Sequence, residues 1–277
     1  MRRPLALLAL VAVVATMAAG ARADGSPYAP GLVFGATGVP APNGALRYVS
    51  LASSRSTIVA AIRVRSGRVL RNGVLRGFYG VPIVAWDNST GGVSGDGRTL
   101  VLGAYGPTPG SPGATPFVVL RTRTLRPTRR FRLKGSWAFD AISPDGSRIY
   151  LVEYLAAGHS PRYRVRSVDA RTGRLDPDVI VDRREDEVLM RGQPVTRRSS
   201  SDGRWAYTLY ARPGAEPFVH ALDTVEGEAY CVDLPLELRQ VEQMALRLRL
   251  GRDGLEVHRG PTTLAVVDTE KLEVRER

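Results

Sequence analysis

The chain has 277 residues, a formal net charge of +12 and one cysteine, Cys231. One cysteine excludes an internal disulfide, and a chain of this length can bury a sizeable core as a single all-β domain without one. Lysine occurs only at Lys134 and Lys271, so nearly all of the positive charge is arginine. A GC-rich coding bias produces such a skew. The functional alternative is attraction to anionic wall polymers, lipid headgroups or nucleic acid.

The first 23 residues are predicted to be a secretory signal peptide. A basic start at Arg2 and Arg3 precedes an apolar run at 5–19, and Ala21–Ala23 then fits the small-x-small rule for cleavage. The alternative is an uncleaved anchor, but the run is short for a membrane span of about 20 residues. We therefore expect an exported mature chain without a membrane-spanning segment. Because the protein is exported, nucleic acid is not the expected partner.

Residues 24–30 are predicted to be a linker, and residues 31–277 a single domain. The domain consists of runs of four to eight residues rich in Val, Ile, Leu and Tyr, which is typical of β-strands. A first short strand is expected at 31–36. Further strands are expected at 45–52, 57–64, 68–75, 83–86, 99–105, 117–120, 129–133, 205–210, 218–222, 229–234, 246–250, 255–258, 263–267 and 272–275.

The clearest unit is the stretch 137–175. Alternating apolar residues lead into the turn Ser143–Gly146, a second alternating run follows, and a third ends at Asp169. This pattern predicts a four-stranded antiparallel meander, and weaker copies lie on both sides of it.

Two registers show that these units repeat with a period near 50 residues. The Asp-Gly turn recurs at Asp96, Asp145, Asp202 and Asp253, and the end of the third strand recurs at Arg63, Arg121, Asp169, Asp223 and Asp268. Glycine supplies the positive φ of a tight turn, and an aspartate can accept hydrogen bonds within its own turn, so both registers are structural. A period of this length made of four short strands is the signature of propeller blades.

The predicted fold is therefore all-β, a β-propeller of about five four-stranded antiparallel blades. Two alternatives remain open at this point, a continuous β-sandwich and an incomplete ring that closes by self-association. A sixth blade also remains open, because the strand at 31–36 is weakly defined.

Two motifs resemble those of known propeller families. The stretch Ser143–Leu151 resembles the SPDG motif of TolB-like and WD-repeat-like propellers, and Val168–Leu175 resembles the strand ends of YVTN-type and quinoprotein-type repeats. The dipeptide Trp86–Asp87 precedes its turn, unlike the WD-repeat signature, and the tryptophan docking motifs of quinoprotein blades are missing. The resemblance thus implies a propeller without a quinone cofactor. The chain is also similar to exported propeller proteins of high-GC actinobacteria, which implies no particular activity.

The sequence predicts no catalytic residue, cofactor or metal site. No Gly-x-Ser-x-Gly motif occurs, and His159, His220 and His258 lie in different repeats. His159 has Ser160 beside it, but no partner carboxylate is identifiable. The acidic segment 176–187 could serve a calcium ion, yet its arginines favour a self-neutralised loop.

The candidate ligand-binding residues lie on the segments that approach each innermost strand, at 78–86, 136–140 and 190–196. Aromatic rings beside charged and amide groups suit sugar or peptide recognition. Arg191 offers a planar fork for a carboxylate or phosphate, and Gln193 adds an amide. The alternative is that Trp86 and Trp137 pack between blades. The full set is Tyr79, Trp86, Asp87, Trp137, Asp140, Arg191 and Gln193.

We expect an exported, non-enzymatic binding or protein-interaction module at the cell envelope. Its partner would be a protein, a carbohydrate or an anionic envelope polymer. The alternative is a hydrolase or lyase acting on envelope carbohydrate or peptide, which would need carboxylates or histidines within hydrogen-bond reach at the central channel. An anionic partner would require the arginines to form one continuous face, and a scattered arrangement would argue against it.

Overall fold

The computed structural model describes residues 29–155, 162–182, 184 and 189–275. The predicted signal peptide, most of the predicted linker and His159 lie outside the described residues. No helix in the described ranges has the length and apolar character needed to cross a bilayer.

The first two blades follow a short strand, β1 (Leu32–Val33). Blade 1 consists of β2 (Val39–Pro40), β3 (Leu46–Ala52), β4 (Ser56–Arg63) and β5 (Val69–Arg76). After β6 (Val81–Pro82), blade 2 consists of β7 (Thr99–Gly103), β8 (Ala114–Arg121) and β9 (Arg126–Lys134). Isolated bridges, among them Val93 to Leu100, stand where the innermost strand of blade 2 would be.

The remaining three blades are complete. Blade 3 consists of β10 (Ser136–Ile142), β11 (Arg148–Tyr154), β12 (Arg162–Asp169) and β13 (Leu175–Ile180), and β14 (Met190–Arg191) also pairs with β12. Blade 4 consists of β15 (Gln193–Ser199), β16 (Trp205–Ala211), β17 (Phe218–Asp223) and β18 (Glu228–Asp233). After one short helix, α1 (Gln240–Gln243), blade 5 consists of β19 (Leu246–Leu250), β20 (Leu255–Arg259), β21 (Thr262–Asp268) and β22 (Glu273–Val274).

Each blade is an antiparallel meander in which neighbours along the chain are neighbours in the sheet. The Asp-Gly motifs and the turns after the third strands provide tight turns within a blade. Longer loops, such as 104–113 in blade 2, join the second strand to the third. The predicted all-β propeller of about five four-stranded blades is confirmed. Most of its strands match the expected positions because alternating apolar residues specify them locally. The strand expected at 83–86 is wrong, since only Ile83 forms a bridge, to Thr90.

The strand expected at 31–36 does not begin a blade. Within it, Leu32–Val33 pairs with Val81–Pro82 on the approach to blade 2. Gly31 and Gly35 flank this strand at φ values of 89° and 87°, which confine it to two residues. The innermost strand of blade 1 is Val39–Pro40, so the run at 31–36 does not add a sixth blade.

Three of the predicted Asp-Gly turns share one hydrogen-bond pattern. A serine hydroxyl donates to the aspartate Oδ1 at 2.5–2.6 Å, and that oxygen also accepts the N–H two residues further on. The pairs are Ser94–Asp96, Ser143–Asp145 and Ser200–Asp202. These hydrogen bonds hold the pKa of Asp145 and of Asp202 below the usual range, with the serine hydroxyl as the largest cause. The turn role expected for these aspartates is confirmed.

The turn after the third strand is the same in all five blades. In each, the N–H of one residue donates to the carbonyl four positions earlier at 2.8–2.9 Å, and the donor has a φ between 54° and 78°. The acceptors are Arg63, Arg121, Asp169, Asp223 and Asp268. In blades 3 to 5 the aspartate side chain adds further hydrogen bonds from N–H groups of the turn.

Apolar clusters join each pair of consecutive blades. Side chains of one blade interdigitate with those of the next, and burying each large aliphatic side chain stabilises the fold by about 1.5–3 kcal/mol. Representative pairs are Val59 with Leu102, Val101 with Leu151, Tyr154 with Phe218, and Leu209 with Leu248. Among the described residues, no such cluster joins blade 5 to blade 1. These two blades therefore each have one face outside the apolar core.

Candidate functional site

The Asp-Gly turns of blades 2, 3 and 4 meet at one end of the innermost strands. Asp96 donates its backbone N–H to the carbonyl of Pro144 at 2.8 Å. A Cβ added to Gly95 would lie 2.9 Å from the Asp202 carbonyl oxygen, so only glycine allows this close approach. The turns thereby draw the innermost strands of three blades around a shared central space.

This central cavity has a volume of about 350 Å³. Its wall includes 39–42 of blade 1, 90–93 before β7, 139–142 of β10 and 199–201 at the end of β15. The volume lies at the lower end of the range for small-molecule sites, about 300–1,000 Å³. Residues of blades 1 to 4 line this cavity, so the candidate site begins here.

The charged residues that line the cavity are Asp140 and Arg197, which form a buried ion pair. Arg197 donates to both the Asp140 carboxylate and the Asp140 carbonyl, and its Nε donates to the Thr208 Oγ1 at 2.5 Å. Asp140 is 3% exposed and Arg197 is 8% exposed. The second carboxylate oxygen of Asp140 is buried and has no hydrogen-bond partner among the described residues. The pair is electrically neutral and rigidly held.

This pair has the geometry but not the composition of an acid–base site. Asp140 is the one carboxylate among the described residues that line the cavity, and no histidine lines it beside Asp140. His220 lies behind the wall on β17 and is 1% exposed. Burial lowers the pKa of His220 to about 4, so its imidazole is neutral at physiological pH. The arrangement is suited to structure or binding more than to proton transfer.

Three predicted site residues, Trp86, Asp87 and Gln193, lie where blades 2 and 4 approach each other. Trp86 donates its backbone N–H to the carbonyl of Pro194, the residue after Gln193, at 2.9 Å. The Asp87 N–H donates to the Val195 carbonyl at 3.1 Å. The Asp87 carboxylate accepts hydrogen bonds from the N–H and the hydroxyl of Ser89, so the Asp87 side chain bonds within its own turn. The structure therefore brings these residues together through backbone contacts.

Tyr79 and Trp137 occupy equivalent positions between blades. The backbone N–H of each donates to a threonine Oγ1 of the preceding blade, Tyr79 to Thr57 at 2.9 Å and Trp137 to Thr115 at 3.1 Å. Each threonine also donates to a glycine carbonyl, which ties the crossover to the blade. The rings are 9% and 7% exposed and belong to the interblade clusters. Neither residue lines the central cavity, although Trp137 lines a smaller one of about 60 Å³. Both pack between blades, and their role in ligand binding stays a prediction.

Arg191 lies on β14, is exposed, and pairs through its backbone with Arg162 of blade 3. The adjacent Gly192 has a φ of 126°, and a Cβ there would lie 2.8 Å from the Ala211 carbonyl oxygen. Glycine is thus required by the backbone at this point. Arg191 is not among the residues lining the cavity, and its role in ligand binding stays a prediction.

Sequence reasoning named Asp140 but missed its partner Arg197. Each residue lies three positions before the serine of its Asp-Gly turn, Ser143 for Asp140 and Ser200 for Arg197. Aligning the repeats on this turn places opposite charges at the same position of consecutive innermost strands. That alignment would have predicted the pair.

Within the acidic segment 176–187, the described residue Asp182 contacts Cys231. The Asp182 carboxylate binds the Arg184 guanidinium at 2.8 Å and accepts the Cys231 N–H at 2.6 Å. This agrees with the self-neutralised loop expected there. No group of three or more metal-ligating side chains in the described ranges is arranged to hold a metal ion.

Solved structures with a similar fold include proteins from three organisms. Hydrazine synthase from Kuenenia stuttgartiensis is 14% identical with a TM-score of 0.45, over 84% of this chain and 76% of that chain. The Swd1 β-propeller domain from Myceliophteria thermophila is 12% identical with a TM-score of 0.46, over 87% and 66%. TolB from Acinetobacter baumannii is 13% identical with a TM-score of 0.42, over 86% and 55%.

The chain is a β-propeller. Its sheets carry that assignment, and the propeller repeats implied by the two sequence motifs agree with it. At identities of 12–14% the similarity to solved structures concerns the fold alone. No protein-family model matches the chain, and no curated protein sequence matches it.

The propeller divides into two parts by charge. Residues 29–135, which contain blades 1 and 2, have fifteen basic residues and two acidic ones, Asp87 and Asp96. Residues 136–275 have twenty basic and twenty-three acidic residues. The density of basic residues is nearly equal in the two parts, so the difference arises from the acidic residues. The thirteen exposed Arg and Lys side chains between Arg55 and Lys134 are called the basic surface below.

The basic surface is almost without ion pairs. Within 29–135, the one ion pair between described residues joins Arg98 to Asp96 at 3.9 Å. Blades 1 and 2 are joined by an arginine, because the Arg71 Nε donates to the Thr122 carbonyl at 3.0 Å. Arg130 of β9 likewise reaches the Arg76 carbonyl of β5 at 3.3 Å. Arginine side chains therefore connect the two basic blades at these two points.

The turn after the third strand shows how acidic residues are missing from this surface. Blades 3 to 5 have an aspartate at the strand end, whereas blades 1 and 2 have Arg63 and Arg121, both exposed. The backbone turn is unchanged, but the hydrogen bonds from turn N–H groups to a carboxylate are lost. Local structure favours aspartate at this position. A coding bias explains arginine throughout the chain, but it does not explain the loss of acidic residues from two blades.

Proposed function

We propose that the protein is an exported, non-enzymatic binding module whose basic surface docks onto a polyanionic component of the cell envelope. The observation that carries the proposal is the charge division, with fifteen basic and two acidic residues in blades 1 and 2 against near balance in the rest. Export rests on the predicted signal peptide.

Physical chemistry supports a partner for this surface. Many like charges on one side of a domain repel each other and oppose folding, so they stabilise nothing by themselves. Near an anionic surface, each Lys or Arg contributes about 1 kcal/mol of attraction, and thirteen exposed cations form a large binding potential. An anionic partner converts the repulsion into affinity.

The central cavity supports the non-enzymatic part of the proposal. A hydrolase or lyase would need a second acid–base group beside Asp140. The described residues that line the cavity offer Arg197 instead, which cannot exchange a proton at ordinary pH. We assign the pair to holding blades 3 and 4 together.

Binding to long-chain polyphosphate, a soluble polyanion, tests the proposal. The wild-type protein should bind it, and the affinity should fall steeply between 50 and 500 mM salt, because exposed charges are screened over about 10 Å at 0.1 M. The double variant Arg126→Glu/Arg132→Glu reverses two exposed charges on β9. It should bind at least about tenfold more weakly, at about 1 kcal/mol for each cation lost.

The matched control is Arg174→Glu/Arg252→Glu, which makes the same charge change at exposed sites of blades 3 and 5. This control should keep most of the affinity, because neither site belongs to the basic surface. Equal losses in the two double variants, or binding that salt leaves unchanged, would rule out the basic surface as the docking site.

A further inference from the structure

The face of blade 1 that points away from blade 2 carries a row of exposed aliphatic side chains. Leu51 lies opposite Ile58, and Ile58 lies opposite Val74, across β3, β4 and β5. They alternate with Val59 and Leu75, which are buried against blade 2. Directly opposed side chains on one face of a sheet contact each other, so the three form a continuous strip, here called the apolar row.

The apolar row is open to solvent. Its members are 44%, 38% and 69% exposed in the order Leu51, Ile58 and Val74. Six of the eleven large exposed apolar side chains of the described chain lie within 51–78. Single exposed apolar residues are ordinary, but a concentration of them on one blade marks an interaction surface.

The apolar row adjoins the basic surface. Arg76 follows Val74 by two residues and therefore lies on the same face of β5. Phe78, which is 50% exposed, comes two residues later. Arg130 contacts the Arg76 carbonyl and lies with its guanidinium carbon 5.5 Å from the centre of the Tyr79 ring. Aliphatic and cationic side chains thus meet on this face at Val74 and Arg76, and Phe78 and Arg130 lie close to the end of β5.

From this juxtaposition we infer that the polyanionic partner is the surface of an anionic lipid bilayer. The apolar row and Phe78 enter the boundary between headgroups and acyl chains, while the neighbouring arginines contact the headgroup phosphates. Membrane-surface binding combines buried apolar area with attraction to anionic lipids, and this region offers both. The inference rests on the proposed function, whose basic surface it uses.

Two other occupants fit the same region less well. A soluble polyanion pairs with the arginines but has no apolar layer to cover Ile58 and Val74. A second copy of the chain in a twofold arrangement would place one basic surface against another, where like charges repel. The bilayer matches both the apolar and the charged part of the region.

Sedimentation with lipid vesicles tests the inference. The wild-type protein should bind vesicles that contain phosphatidylglycerol and should not bind vesicles of phosphatidylcholine alone. The variant Ile58→Thr/Val74→Thr keeps β-branched side chains, which suit strands, and removes apolar area. It should bind the anionic vesicles about tenfold more weakly, because burying each aliphatic side chain contributes to affinity. Its binding to polyphosphate should equal that of the wild type.

Controls separate this inference from the proposed function. Val225→Thr changes an exposed valine of blade 4 and should leave vesicle binding unchanged, and circular dichroism confirms that each variant is folded. A row variant that binds anionic vesicles like the wild type overturns the inference, as does wild-type binding to polyphosphate but not to vesicles. A wild-type dimer that the row variant dissociates, with vesicle binding unaltered, would assign the row to a second copy. Failure of the wild type to bind polyphosphate overturns the proposed function itself.

Discussion

Blades 1 and 2 and blades 3 to 5 use arginine at the same density but in different ways. In blades 3 to 5 an arginine is commonly paired, as Arg204 is with Asp223 at 2.6 Å and Arg249 is with Glu256 at 2.6 Å. In blades 1 and 2 the one ion pair between described residues is Arg98 with Asp96, and most of the arginines are exposed. The overall composition therefore does not show which charged side chains are available to bind a partner. The distribution of acidic residues separates a neutralised surface from one available to a partner.

The comparison also separates stability from binding. The buried ion pair of Asp140 with Arg197 connects blades 3 and 4, and an aspartate caps the turn after the third strand in blades 3 to 5. In blades 1 and 2 the corresponding turns have no carboxylate, and the carboxylates of Asp87 and Asp96 bond within their own turns. Changes in charged residues should therefore alter folding in one part and binding in the other.

The largest effect is expected for Asp140→Ala. This change leaves the Arg197 guanidinium buried without its carboxylate, which should reduce the free energy of unfolding by about 3–5 kcal/mol in urea denaturation. The double variant Asp140→Ala/Arg197→Met removes both charges and should recover much of the loss. A single variant within 1 kcal/mol of the wild type would contradict a structural role for the pair.

Acid should destabilise the protein through His220 of blade 4. This effect belongs to blades 3 to 5, because all three histidines of the chain follow residue 135. The folded pKa of about 4 lies below the ordinary value of 6.5, mainly because the imidazole is buried. The folded state thus binds fewer protons, so stability is present above pH 6.5 and is lost as the pH falls towards 4, by roughly 3 kcal/mol. Unfolding curves across this range should show the loss, and His220→Gln should flatten it. An equal slope in both proteins would refute the assignment.

A smaller effect is expected when the aspartate at the end of the third strand of blade 3 is replaced by the arginine that blades 1 and 2 have there. Asp169→Arg removes hydrogen bonds from the Thr172 N–H at 2.6 Å and hydroxyl at 2.8 Å. Because the site is exposed, the free energy of unfolding should fall by only about 1 kcal/mol. Thermal denaturation measures this loss, and an unchanged stability would mean that the carboxylate contributes nothing to the turn.

The smallest effect is expected for Arg191→Ala. As an exposed side chain without an ion pair among the described residues, Arg191 should contribute within about 0.5 kcal/mol to stability. Polyphosphate binding should also be unchanged, because Arg191 lies outside the basic surface. A selective loss of binding would move the docking site to the segment where it was first predicted.

Most of the fold was predictable because its determinants are local. Alternation set the strands, and Ser143–Gly146 and its repeats set the turns. The pairing of β1 with β6 was not predictable, since it joins residues almost fifty positions apart through two-residue strands. The same holds for blade 2, whose innermost strand is reduced to bridges at positions such as Val93.

The candidate sites were predictable only in part. Asp140 was identified, but its partner Arg197 emerges only when the repeats are aligned on their turns. The scarcity of acidic residues before position 135 can be read from the sequence, whereas contacts between the two basic blades, such as Arg130 with the Arg76 carbonyl, could not. The apolar row required knowing that one face of blade 1 lies outside the core, which no local pattern reveals.

The most direct test of the central claim is to restore the aspartates that blades 1 and 2 lack. The variant Arg63→Asp/Arg121→Asp gives both turns the carboxylate of blades 3 to 5. Stability should stay the same or rise, by up to about 1 kcal/mol per turn, as the carboxylates accept turn N–H groups. Polyphosphate affinity should fall at least about tenfold. Unchanged affinity in a folded variant would contradict the account, because two charge reversals on the basic surface would then be without effect on its partner.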